Sequence, residues 1–97
     1  MSKRIDAIAL AVEKTAECLA MHLESIPVIE TFHGQVVWEG VVEAFSLIGH
    51  PKAKKAYGWS YQEREETRYV AVLEIPPVDS PVAAVRASIV AQNRPKA

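Results

Sequence analysis

The chain has a single cysteine, Cys18. No disulfide can close within it, which excludes a small secreted scaffold stapled by bridges. Long apolar runs are missing too. In the opening stretch MSKRIDAIALAVEKTAECLAMH, Asp6, Glu13, Lys14 and Glu17 break up the hydrophobic residues. Neither a signal-peptide core nor a membrane span is expected there, so a membrane is no expected partner and the cytoplasm is the expected location. Neither sign of charge dominates, with a formal net charge of −1 and a pI near 6.3. That balance argues against binding nucleic acid through the whole surface and leaves only a local basic patch. There is no CxxC, HExxH, GxGxxG or GxxxxGK[ST] motif, and no nucleophile elbow. No metal and no cofactor are therefore expected.

What is present is an ordinary globular composition over 97 residues, with 49% hydrophobic and 24% charged. Such a chain reads as one domain spanning 1–97, with no linker, repeat or low-complexity segment. A chain of this size buries roughly 60–68% of its unfolded surface, and docking against a second copy would add to that.

Ser2 is placed to cap a first helix in which Ile5, Ile8, Val12, Ala16, Leu19 and Leu23 recur every three or four residues. Pro27 is expected to stop it, with Ser25 and Ile26 already outside. Leu10 and Met21 lie off that stripe, on the far side of the expected helix, and mark a second contact surface. Residues 28–33 read as a short strand and Gly34 as a tight turn. Residues 35–48, QVVWEGVVEAFSLI, read as a long strand whose even row, from Val36 to Ile48, carries no charge. The odd row mixes Glu39 and Glu43 with Val37, Val41, Phe45 and Leu47. Gly40 suggests a bulge or a close approach of backbone.

The segment GHPKAKKAYGW comes next. Pro51 suits the first turn of a short helix over about 51–57, closed by Gly58. Residues 62–66 form a hydrophilic link, and 67–75 (TRYVAVLEI) form a second strong strand. After Pro76–Pro77, Asp79 and Ser80 offer caps for a last helix from Pro81 to about Asn93, with Val82, Val85 and Ile89 inward.

The expected architecture is α+β. A small antiparallel or mixed sheet carries the N-terminal and C-terminal helices on one face, in the order α, short β, β, short α, β, α. This order resembles the double-stranded-RNA-binding domain in outline. That module uses lysines at the start of its final helix, where this chain has SPVAAVRAS with one arginine. The resemblance therefore assigns no functional residue.

Three function classes are open to such a chain. With both helices on one face, the other would be bare, exposing Val37, Val41, Phe45 and Leu47. Together with Leu10 and Met21 these form a candidate interface, and a homodimer is the expected assembly. This non-enzymatic oligomerising or binding domain is the leading reading. The second is a nucleic-acid module, in which Lys52, Lys54 and Lys55 neutralise phosphates and Tyr57, Trp59 or Tyr61 stack on bases. Glu63, Glu65 and Glu66 oppose it. His50, just before Pro51, could hold an anion with Lys52 and Lys54 at a helix N-terminus. The third is a small enzyme or metal site at His50, or at Cys18 and His22, four apart on the expected helix. Glu39 and Glu43 share a strand face about 13 Å apart, wider than the roughly 5–9.5 Å of a glycosidase pair.

Overall fold

The computed structural model describes residues 2–92. The first helix, α1 (Lys3–Ala16), starts where the Ser2 hydroxyl accepts the Ile5 N–H at 3.3 Å. Ile8, Val12 and Ala16 form its buried stripe. It ends earlier than its periodicity suggests. Glu17 takes a left-handed φ of 57° and donates its N–H to the Glu13 carbonyl. The Glu13 carboxylate accepts the Ala20 N–H at 2.9 Å, which turns the chain into the sheet.

The next element is a strand, β1 (Leu19–Phe32), paired antiparallel with the equally long β2 (Gln35–Ile48). The expected continuation of the helix to Leu23 and the 28–33 strand boundary are both corrected by this pairing. Leu19, Met21 and Leu23 also alternate, and that second period prevails because β2 offers a ladder partner from Leu19 to Phe32, interrupted only by two shifts of register. Pro27 does not stop a helix. It sits within β1, an outer strand of the sheet, where a missing N–H is tolerated. The two strands are joined by His33 and Gly34, with φ of 52° and 78°, a two-residue turn that suits the twist of a hairpin.

The short helix expected over 51–57 is absent as well. Residues 50–54 form an irregular turn, and β3 (Lys55–Glu63) begins directly. It pairs with β4 (Glu66–Leu73) across the turn Arg64–Glu65. Lys55–Trp59 is a strand because Ala56, Tyr57, Gly58 and Trp59 are all buried, and a central strand can bury both of its rows. Gly58 is no helix cap. A Cβ there would lie 2.6 Å from Ile8 and 3.0 Å from Val12, so glycine is what lets α1 approach the strand. At Gly40 the indole of Trp38 covers the backbone instead. The last helix, α2 (Pro81–Gln92), begins as expected, with the Ser80 hydroxyl accepting the Ala83 N–H at 3.1 Å, and its expected end near Asn93 lies outside the described residues.

The sheet is an antiparallel meander, β1-β2-β3-β4, and the α+β class holds. The placement of both helices on one face does not. Alternate residues of the sheet fall into two separate cores. Phe45, Leu47 and Ala56 pack under α1, while Val42, Ala44, Tyr57 and Trp59 pack under α2. With a period of two along each strand, these are opposite faces. The result is helix, sheet, helix. Both rows of β2 carry apolar residues, so each face needs its own cover.

Candidate interaction surfaces

The central pair β2–β3 is short, joining only Glu43–Ser46 to Lys55–Gly58. The two hairpins are therefore held together at one end, and past Glu43 and Gly58 they part, so the far half of β2 has no ladder to β3. Ile29, Phe32, Val36, Val37 and Val41, on that far half and the β1 stretch paired with it, are all exposed. On the α1 side Ile29 and Val41 are diagonal neighbours, since Pro27 pairs with Val41 and Ile29 with Glu39. On the α2 side, Phe32, Val37 and Trp38 face Ile89 and Val90 across a groove of about 770 Å³.

The groove contains one ion pair. Arg86 donates from Nε to Glu30, a carboxylate that is itself nearly buried. That hydrogen bond and the arginine charge hold Glu30 below the usual carboxylate range, against the opposing effect of burial.

A second polar cluster lies under the N-terminal part of α1. Glu43 is fully buried. Its carboxylate accepts from Arg4 Nη2 at 2.5 Å, from the Ser25 hydroxyl, and makes a 2.8 Å hydrogen bond with His22 Nε2. Burial pushes its pKa up, but the hydrogen bonds from Ser25, Arg4 and His22 and the charge of Arg4 together bring it below the ordinary 4.5. Ser25 and His22 both reach the same oxygen, Oε1. A nucleophile–base relay would instead join serine to histidine. The geometry is that of a clamp tying α1 and β1 to the centre of the sheet.

The sequence-predicted residues divide. Phe45 and Leu47 are buried beneath α1 and leave the candidate interface, because the odd row of β2 has a helix over it. Val37, Val41, Leu10 and Met21 are exposed. Met21 is on β1, however, so it and Leu10 do not share a helix line. Tyr57 and Trp59 are 4% and 3% exposed and have no open ring face on which a base could stack. The Tyr57 hydroxyl donates to Glu74, and burial together with that carboxylate raises its pKa above the usual tyrosine value. Lys52, Lys54 and Lys55 are exposed and Tyr61 partly so.

His50 sits on no helix N-terminus. Its Nδ1 accepts the N–H groups of Lys52 and Ala53 at 3.0 and 2.9 Å, so the donors expected to hold an anion are engaged by its own ring. Cys18 lies in the turn before β1 and His22 on the strand, so the one-face helical spacing expected of a shared metal is gone. Among the described residues no group of three His, Cys, Asp or Glu side chains could hold a metal ion, and no helix is long and apolar enough to cross a membrane.

Arg4, Ser25, Glu30, Phe32 and Arg86 carry no signal in the sequence that marks them out. Only Glu43 gives one, as a lone carboxylate in the apolar run VVEAF. Comparison with known proteins gives no match: no family model fits the chain, and no curated protein or solved structure is similar to it.

Proposed function

We propose that this chain is a non-enzymatic interaction domain whose first partner is a second copy of itself. The observation supporting the reading is the apolar surface of the β1–β2 hairpin, where large aliphatic and aromatic side chains stay in solvent on both faces of the half not paired with β3. Lone exposed apolar residues need no explanation, but several large ones gathered on one hairpin fit a contact surface. A domain this small also gains in proportion more than a large one from surface buried by association. The polar clusters support the same reading from the other side. Glu43 is saturated by its three partners and Glu30 is neutralised by Arg86, which leaves neither carboxylate available as a reactive group.

Native mass spectrometry and sedimentation at tens of micromolar, near physiological ionic strength, test the reading. A dimer or larger closed assembly with no added mass is the expected result. A monomer throughout that range overturns it.

A further inference from the structure

We propose that two copies of this chain join through β4, antiparallel about a two-fold axis at Tyr69, so that their two sheets become one. The inference rests on the self-association reading and places a contact at the edge of the sheet opposite the β1–β2 hairpin, separate from that hairpin's apolar surface.

The meander leaves β1 and β4 as the outer strands. They differ in how well they are guarded. β1 carries Pro27 and breaks of register at His22/Glu24 and Glu30/Thr31, devices that blunt an edge against pairing. β4 has neither. Its pairing with β3 runs unbroken from Ala56↔Leu73 to Glu63↔Glu66, and it contains no proline.

The direction of its backbone groups can be read from one bond. The Glu74 N–H donates to the Lys55 carbonyl at 2.9 Å. Antiparallel ladders alternate, so Val72, Val70, Arg68 and Glu66 turn their N–H and C=O toward β3. Thr67, Tyr69 and Ala71 turn theirs outward. Beside them runs a groove of about 680 Å³ flanked by Thr15 of α1 and by Ala87, Ser88 and Ala91 of α2. Small side chains on the α2 flank leave room for another strand.

Charge selects the register. Outward residues must meet outward residues, which leaves three central alignments. With Arg68 opposite its own copy, two guanidinium groups meet, each already ion-paired to Glu66 of its own strand at 2.9 Å. With Val70 opposite its copy, Glu66 meets Glu74 of the second chain. Like charges directly opposite are unfavourable. With Tyr69 at the axis both clashes vanish, Thr67 faces Ala71, and Arg64 faces Glu74 at either end. Three outward pairs then exchange two hydrogen bonds each.

A strand of eight residues is too little for a stable interface, which takes roughly 20–30 residues a side. α1 adds to it. Leu10 and Tyr69 are 61% and 44% exposed and line one hollow with Ala7 and Ala11. The second copy would cover all four. Leu10, marked by its place off the helix stripe as part of a second contact surface, finds its role here.

Three single-cysteine variants made in a Cys18→Ser background test the geometry under mild oxidation. Tyr69→Cys is expected to give a disulfide-linked dimer, and Arg68→Cys and Val70→Cys are expected to stay unlinked. Thr67→Pro removes an outward donor without touching the β3 ladder, and Leu10→Lys alters an exposed side chain. Each is expected to raise the dimer dissociation constant at least tenfold with an unchanged far-UV circular dichroism spectrum, and Leu10→Lys decides if Thr67→Pro fails to fold. Cross-linking at 68 or 70 in place of 69 overturns the alignment about Tyr69, and a dimer indifferent to Leu10→Lys overturns the β4 interface, while self-association stands in either case. A monomeric parent protein overturns both.

Discussion

The two faces of the sheet are covered by different means. Under α1, Phe45 and Leu47 of β2 are flanked by small residues, Ala20, Ala56, Gly58 and Ala71, so the helix lies close to the backbone at β3 and Ile8 and Val12 fill the gap there. Under α2 the bulk belongs to the sheet. Trp59 meets Trp38 edge to face with centroids 5.5 Å apart, Tyr57 lies beside them, and the helix contributes alanine and valine. Polarity differs as well. The α1 face has a fully buried carboxylate held by three side chains, whereas the ion pair on the α2 face, Glu30–Arg86, sits at the rim of a groove with its arginine largely in solvent. One face is fixed by close approach at Gly58 and a polar clamp, the other by two tryptophans and a tyrosine. A single helix can be positioned either way, provided large and small residues oppose each other across the contact.

The strongest way to break this contrast is at Trp59. Its replacement by alanine empties the α2 face of its largest side chain and is expected to cost about 3–5 kcal/mol in urea unfolding at one fixed protein concentration. Gly58, the adjacent residue facing the other way, tests the α1 side. Gly58→Ala adds a methyl group where Ile8 already stands, with an expected loss of about 1–3 kcal/mol. An unchanged midpoint would mean that α1 can lift away freely.

The clamp gives a smaller effect with a pH signature. Because the folded pKa of Glu43 is depressed below 4.5, its contribution is fully present above that value and is lost as pH falls through the folded pKa. Glu43→Gln is expected to lose about 1–2 kcal/mol at pH 7. Its gap from the parent protein should narrow as both are acidified below pH 4.5. A gap that stays constant with pH would assign the loss to packing. Glu30 keeps some acid sensitivity in the variant, since Arg86 lowers its pKa too.

The smallest effect should come at Val41. It belongs to the same row of β2 as Phe45 but lies beyond the reach of α1, 40% exposed. Val41→Ser is expected to stay within about 0.5 kcal/mol of the parent.

Much of this fold is readable in the chain, and the misreadings share one cause. The start of the first helix at Ser2, the turn at Gly34, the long strand at 35–48 and the cap at Ser80 are all set by neighbours within a few residues. Segments 19–27 and 50–59 differ because two periods fit each of them. Leu19 and Leu23 suit a helix stripe, yet with Met21 they also suit alternation. Pro51, Ala53 and Gly58 suit a short helix, yet Ala56, Tyr57, Gly58 and Trp59 are what a buried central strand requires. The choice between such periods is made by a partner strand distant in sequence, and local propensity does not contain it. The interface assignment of Phe45 and Leu47 fails for the same reason. It presumes both helices on one face, and the side on which a helix docks is a tertiary matter.

By itself the sequence determined that this is an α+β domain with a capped helix at each end and a sheet between, because composition, capping residues and strong periodicity act locally. Only the tertiary structure decided which carboxylates are buried, which aromatics are withdrawn from solvent and which strands, among the described residues, form the edges of the sheet. Burial and pairing depend on what lies across the sheet. For Glu43 that means Arg4, thirty-nine residues away along the chain.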